Sequence, residues 1–453
     1  MQWSDFQDKK VALLGAGMEN MSLISHLLEH RAVVTLCEQW PVTLANVYEG
    51  HVRLNIGDAH LENLDQFDYV FRSPGLPVAR VDEALKDKTA QPVRTSAMDL
   101  FFALGLGVTV GVTGTKGKGT TSTMIGSILE SAGRDVIVAG NIGKVIFEVL
   151  DDIHPDTVVV MELSSFQLED ISHSPHIAVT LPIVPDHLAP LSARSPNFHP
   201  TFEKYAEAKA NITAFQTTTD FLVYAADSKI VQDIANNSTA RRLGVGEERG
   251  DIVVEPTGEV DVGHNEMINF KELGLKGRHI YLDAALATAV ARELGCDVPA
   301  IKQGLRNFQP LPHRLQTIGT FGGVTYVDDS YATAPDAAMA AIESIETPLV
   351  WIGGGSRKGA QFEDLARTVV ESTIKIVVLL GEEGPRLKTA IEKLNQALPI
   401  FEAASMAEAV QLAKARAQAG DTVLLSPACA SKDMFENAAD RGEKFQGAVN
   451  EQL

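Results

Sequence analysis

Short runs of aliphatic and β-branched residues alternate along the chain with longer stretches whose apolar positions recur every three to four residues. That is the pattern of strands joined by crossover helices in parallel sheets. The first region, 1–96, reads as strand KKVALLG (9–15), a glycine-containing turn, a helix through SLISHLLEH, and strand AVVTLCE ending at Glu38. A third strand, YVFRS, leads into the turn Ser73-Pro74-Gly75. The second region, 97–310, opens with GLGVTVGVTG, a glycine-rich loop and a helix TTSTMIGSILESAG that Gly133 is placed to stop. Strands DTVVVMEL, IAVTLPIV and FLVYAAD follow with the helix TFEKYAEAKANI among them, then short strands and turns, then the helix LDAALATAVAREL. The third region, 311–453, starts where the prolines of FQPLPHRLQ interrupt any helix, and carries strands VTYVDDS, PLVWIGGG, IKIVVLLG and DTVLLSPA. The expected class is α/β in three domains, Rossmann-like at both ends with a mainly parallel sheet in the middle.

Length agrees with that division, since 453 residues at roughly 150 per domain suit about three. With 45% hydrophobic and 22% charged residues the chain has a globular balance, not a disordered one. The formal net charge of -20 opposes non-specific attraction to nucleic acid or an anionic membrane, so an anionic ligand needs a local positive site. There is no amino-terminal signal core and no apolar run long enough to span a bilayer, which gives the expectation of a cytoplasmic protein without membrane insertion. Cys37, Cys296 and Cys429 show neither disulfide nor zinc spacing and read as small buried hydrophobes.

The densest chemical signal is GVTGTKGKGTTST, Gly111 to Thr123, between a buried strand and a helix start. Glycines let successive N–H groups turn toward phosphate oxygens, the helix N-terminus adds positive potential, and Lys118 supplies a charge for the terminal phosphates. The motif departs from GxxxxGK[ST], because Val112 replaces the first Gly and Gly119 the hydroxyl residue. A flexible turn with a solvated lysine pair is the plain alternative. Glu162 ends strand VVVM, where one carboxylate suits magnesium bridging nucleotide phosphates, although such a Glu alone reads more readily as a solvated cap. Ser164, Ser165 and Gln167 add neutral donors. His187 could be a metal ligand or base, or a structural histidine. DDSYATAP (328–335) and GGGSRKG (353–359) are anion-binding turns or ordinary ones.

In this order, GVTGTKGKGTT, GNIG, ELSSFQLE, DHL, YAEAKANI, LPHRLQ, DDSYAT, GGGSRKG and LLSPACASKDMF resemble the Mur ligase family, ATP-dependent amide-forming enzymes of peptidoglycan precursor synthesis. ELSSFQLE with SPACAS resembles its glutamate-adding branch. The resemblance implies a UDP-substrate domain (1–96), a P-loop-type ATPase domain (97–310) and an amino-acid-binding domain (311–453) that closes over ATP. It implies addition of D-glutamate to UDP-N-acetylmuramoyl-L-alanine through an acyl phosphate, by a monomer that binds no nucleic acid. It assigns Gly114, Thr115, Lys116, Gly117, Lys118, Gly119, Thr120, Arg314 and Asp329 to ATP. Two magnesium ions fall to Thr120, Glu162, His187 and Lys209, the last carbamylated, and Lys118 joins Glu162, His187 and Lys209 as the catalytic set. Ser73 and Gly75 match the uridine-side loop, Asn141, Ser164 and Gln167 the muramoyl contacts, and Thr333, Lys358 and Ser431 the glutamate contacts. Without the resemblance, Lys209 would read as part of a solvated helix face.

Some positions depart from the family pattern. Besides Gly119, Ile280 and Asp283 stand where HN and a following Asn lie near adenine, Tyr331 replaces the Lys of NDSKAT, Asn20 replaces a small residue in GAGMEN, and Ala189 replaces an acid after DHL. The form DDSYATAP resembles a divergent branch in which the added glutamate can be L. An L-glutamate ligase, a folate-type polyglutamate ligase and a non-catalytic nucleotide-binding homologue are the alternatives.

Overall fold

The structure, a computed structural model, describes residues 1–42, 44, 46–141, 144–188, 197–263, 266–309, 312–333, 335–357 and 362–451. Two compact units make up the chain, Met1–Phe308 and Gln309–Leu453.

The first unit begins with β1 (Lys10–Leu14), β2 (Val33–Glu38), β3 (Arg53–Ile56), β4 (Tyr69–Arg72) and β5 (Val93–Thr95), an all-parallel sheet in the order β3-β2-β1-β4-β5. YVFRS is therefore the fourth strand and not the third. The strands unforeseen from sequence, RLNI and VRT, are short and mostly exposed edges, so they carry no apolar run to announce them. Side chains alternate across the pleat of β1. Ala12 and Leu14 pack with Leu64, Phe67, Val81 and Leu85 in one cluster, while Val11 and Leu13 belong to another that also holds Phe101, Ile137, Met161 and Leu222. The second face of this sheet thus shares one core with the sheet that follows.

That next sheet contains β6 (Val108–Thr113), β7 (Val136–Gly140), β8 (Val158–Glu162), β9 (Ile177–Thr180), β10 (Phe221–Ala225), β11 (Arg241–Gly246) and β12 (Ile252–Val253), all parallel in the order β12-β11-β10-β9-β6-β8-β7. A small antiparallel pair, β13 (Glu259–Asp261) and β14 (Met267–Asn269), lies in the stretch expected to hold short strands and turns. The helix after β6 runs Lys118–Ser131, ending just before Gly133 as anticipated.

The second unit holds β15 (Gln316–Phe321), β16 (Val324–Asp328), β17 (Leu349–Gly354), β18 (Ile374–Leu380), β19 (Ile400–Ala403) and β20 (Thr422–Leu425), in the order β15-β16-β20-β17-β18-β19. Only β15 runs antiparallel, paired with β16. Among the described residues no helix is long and apolar enough to cross a membrane. The three cysteines are free and buried, as expected.

Candidate functional site

The chain leaves β6 to form β7 on one side of the sheet and returns to β9 on the other. Such a change of direction opens a crevice at the carboxyl ends of the strands. The glycine-rich turn emerges there. Gly117 caps the Lys118–Ser131 helix at φ 84, and a Cβ placed on it would lie 2.5 Å from Oδ1 of Asp283. Only glycine fits both the conformation and the space. Asp283 is buried, and burial pushes its carboxyl well above the ordinary carboxylate range, against a hydrogen bond with Thr121. Burial thus disfavours a negative charge behind the turn.

Lys118 is the first helical residue, and its Nζ donates to the Thr115 carbonyl at 3.0 Å. Gly114, Lys116, Gly119 and Thr120 occupy the same turn and first helical residues. Thr115 differs in its use: its buried hydroxyl meets the Tyr205 hydroxyl and the Val184 carbonyl, each at 3.0 Å, and so ties the turn to the segment after β9. Lys116 lies 3.7 Å from Asp186.

Glu162 closes β8 and is 4% exposed, so the solvated-cap reading fails. Asn141, at the exposed end of β7, donates to Oε1 of Glu162 at 3.3 Å. Lys209 is only 1% exposed and overturns the solvated-face reading. Its helix, Phe202–Ala214, packs the aliphatic stem inward, with Nζ 3.3 Å from Thr113 Oγ1 and 4.9 Å from the Tyr205 ring centre. Burial and then the Lys118 charge hold its amine well below the ordinary lysine range, with Asp186 and Glu162 pulling the other way. Burial of this kind favours the neutral, nucleophilic amine over the ammonium.

His187 follows Asp186 at φ 55, its backbone N–H donating to Asp186 Oδ1 at 2.9 Å and its ring edge-on to Phe166 at 5.2 Å. Burial lowers its imidazole, and Lys209, Lys118 and Lys116 lower it further against Asp186, so the ring stays neutral at pH 7. Burial would raise Asp186, but Lys116, His187 and Lys118 outweigh it and bring the carboxylate below its ordinary range. These mutual influences join Lys118, Glu162, His187 and Lys209 in one electrostatic neighbourhood, where Lys116 and Lys118 balance Asp186 and Glu162.

Ser164 and Gln167 form a capping box over the short helix Ser165–Leu168: Gln167 N–H donates to Ser164 Oγ at 3.2 Å, and Ser164 N–H donates to Gln167 Oε1 at 2.7 Å. Ser73 is buried beneath the first glycine turn, where a Cβ on Gly17 would come 2.5 Å from its hydroxyl oxygen, while Gly75 is exposed. Sequence reasoning passed over the residue that joins these two places. Arg72, buried at the end of β4, makes a two-pronged pair with Asp170 at 2.6 and 2.7 Å and donates to the carbonyls of Phe166 at 2.7 Å and Leu76 at 2.8 Å. Its signal was an arginine closing an otherwise apolar strand. Asn197 adds a 2.6 Å bond to the Pro74 carbonyl. His199, also missed, stacks on Phe166 at 4.8 Å and meets Ser165 Oγ at 2.9 Å, its imidazole brought down to about 4 chiefly by burial.

In the second unit, Asp329 follows β16 and is buried; it accepts from Ser426 Oγ at 2.8 Å and from Leu315 N–H at 3.2 Å. Arg314 is exposed, its guanidinium 5.3 Å from the Tyr331 ring centre. Thr333 is half-buried and Ser431 buried. Lys358 and Ala189 lie outside the described residues.

Comparison with known proteins fits this arrangement. The Mur ligase middle domain profile matches residues 112–291, and that of the Mur ligase glutamate ligase domain matches 313–429. UDP-N-acetylmuramoylalanine--D-glutamate ligase of Symbiobacterium thermophilum is 36% identical over 97% of this chain and 98% of its own. The protein of the same name in Clostridioides difficile is 34% identical over 98% and 99%. Among solved structures, MurF ligase from Thermotoga maritima in complex with ADP shares the fold at a TM-score of 0.61, with 17% identity over 100% of this chain and 97% of that one.

Proposed function

This chain belongs to the Mur ligase family, and from that premise we propose that it joins D-glutamate to UDP-N-acetylmuramoyl-L-alanine, converting ATP to ADP and phosphate. The observation that carries the reading is the glycine turn after β6, with Lys118 at the head of its helix and Glu162 and Lys209 at its side. Near-full-length identity to D-glutamate ligases favours that enantiomer over L-glutamate, and favours the muramoyl acceptor over a folate.

In this reading the acceptor carboxylate attacks the γ-phosphorus of ATP, ADP leaves, and an acyl phosphate forms. The glutamate amine then attacks the acyl carbon, and the tetrahedral intermediate expels phosphate to leave the amide. Turn N–H groups and the Lys118 ammonium stabilise charge on the transferring phosphoryl group. His187 is neutral and burial weakens the hold of Lys209 on its proton, so the two add little repulsion to each other.

Magnesium suits this donor set only in partnership with the nucleotide. Among the described residues no three His, Cys, Asp or Glu side chains gather to hold a metal, whereas one buried carboxylate, Glu162, with the Thr120 hydroxyl and phosphate oxygens is the way magnesium is ordinarily held. When bound it would neutralise phosphate charge. For a second ion we read His187 and Lys209 as the holders. The neutral Lys209 amine can add carbon dioxide and lose one proton, becoming a carbamate whose oxygens are hard ligands.

We read the chain as three functional domains, 1–96 for the UDP substrate, 97–310 for ATP and 311–453 for glutamate, supported by its three large parallel or mainly parallel sheets. Ser73, Gly75, Asn141, Ser164 and Gln167 are taken as acceptor contacts, Gly114 to Thr120 with Arg314 and Asp329 as ATP contacts, and Thr333, Lys358 and Ser431 as glutamate contacts. The enzyme is taken to be a cytoplasmic monomer. The test is phosphate release with ATP, magnesium and UDP-N-acetylmuramoyl-L-alanine, comparing D-glutamate, L-glutamate and no amino acid. Release with D-glutamate alone is expected; release with L-glutamate alone, or none with either, overturns the assignment.

A further inference from the structure

The helix that opens on the first glycine turn carries an acid where an anion-binding turn usually has a neutral residue. Glu19 is the second residue of the helix Met18–Glu29, at the end where backbone N–H groups point toward a ligand. Its carboxyl does not extend into solvent. Oε1 accepts a hydrogen bond from Nε2 of Gln167, and Oε2 is buried with no hydrogen-bond partner. Burial pushes the group above its ordinary range, against the hydrogen bond from Gln167 and the charge of Arg72, with Asp170 adding to the rise.

Gln167 has one carbonyl and one amide nitrogen on its side chain. Ser164 N–H holds the carbonyl, as described above, which settles the hand of the amide and turns Nε2 toward Glu19. Glu19 takes one of its two N–H bonds and leaves the other directed elsewhere. Without Glu19 the capping box would still hold the carbonyl end, but Nε2 would lose the described contact that holds it in place.

We propose that Glu19 is a positioning residue for the acceptor substrate: by holding Nε2 it steadies the Gln167 amide for the muramoyl ligand. This rests on Gln167 being an acceptor contact. The carboxyl acts through Gln167 and needs no contact with the reacting atoms.

The experiment measures, by titration calorimetry on the full chain, the affinity for UDP-N-acetylmuramoyl-L-alanine and separately for ATP with magnesium. Glu19→Ala is expected to weaken the first roughly tenfold, the scale of one well-placed hydrogen bond, and to change the second less than twofold. Glu19→Gln keeps an acceptor oxygen at the same reach and should bind within about twofold of the parent protein. Glu19→Asp keeps the carboxyl but falls one methylene short, and should lose as much as alanine does, which covers the case of an unfolded alanine variant. With Gln167→Ala already in place, adding Glu19→Ala should cost nothing more. Equal weakening for both ligands, multiplicative losses in the double variant, or a melting change without an affinity change each overturns the positioning role. If Gln167→Ala alone binds normally, the acceptor-contact reading of Gln167 falls and this inference with it. Because binding is read without turnover, a parent protein that binds the acceptor yet releases no phosphate counts against the ligase reaction and not against Glu19.

Discussion

Lys209 Nζ donates to Thr113 Oγ1 across 3.3 Å, and the same hydroxyl donates to the Leu163 carbonyl at 2.9 Å. The amine is thus anchored by a neutral relay and not by a carboxylate. Its proton affinity is lowered on folding, so the unfolded chain binds more protons in the window between the depressed value and the ordinary lysine range. Stability should therefore rise with pH through that window, and Lys209→Met should flatten the rise in urea denaturation. In ¹³C-bicarbonate the parent protein should show a carbamate resonance that Lys209→Ala lacks, and short carboxylates should restore part of the lost phosphate release. A parent spectrum with no such resonance would remove the carbamate.

Gly117 leaves no room for a methyl group beside Asp283. Gly117→Ala should cost about 2 kcal/mol or more in stability, from a left-handed backbone and a steric clash together, and should abolish turnover. Lys118→Ala should instead keep its melting temperature near that of the parent while phosphate release falls roughly a hundredfold or more. Calorimetric melting beside a phosphate assay distinguishes the two. Near-normal release by Lys118→Ala would contradict its role.

Arg72 is 3% exposed and its carboxylate partner Asp170 is 20% exposed. Arg72→Leu would leave that carboxylate and the Phe166 carbonyl without their donor, at about 3–5 kcal/mol. Urea denaturation should also show Arg72→Leu with Asp170→Leu recovering a large share of that loss, since the unpaired charge is then gone. Purely additive losses would mean that the pair does not act as a unit.

Asp329 titrates at about 7, raised by burial against the Ser426, Leu315 and Arg314 contacts, with Asp328 adding to the rise. A folded state that holds this proton longer than the unfolded chain loses stability as pH climbs from the ordinary carboxylate range to about 7. Asp329→Asn should remove that decline between pH 4 and about 8, read by urea denaturation at each pH. An unchanged slope would show that the carboxyl is already ionised in the folded chain.

Strands with continuous apolar runs, such as VVVM and VVLL, could be read directly because both faces of a parallel sheet are covered. Edges such as RLNI could not, since exposure leaves no pattern. Lys118 was legible because a glycine turn between strand and helix is a local signal. Lys209 was not: nothing within YAEAKANI says that its face turns inward, and only the family resemblance singled it out. Arg72, His199 and Glu19 owe their roles to partners roughly 100, 35 and 150 residues away in sequence, a distance at which local spacing carries no information.

The first sheet completes one face with its own Leu64, Phe67, Val81 and Leu85, while the other face packs its own Leu23, Ile24 and Leu27 in a core that also takes in Ile137, Met161 and Leu222. During synthesis the amino-terminal region 1–96 is made well before Met161 and Leu222. At about 5–20 residues per second, the interval before Leu222 emerges is several seconds or more. Throughout it the nascent chain carries one finished face and a second whose core is only part filled, a natural client for a chaperone that holds translating chains until the missing strands arrive.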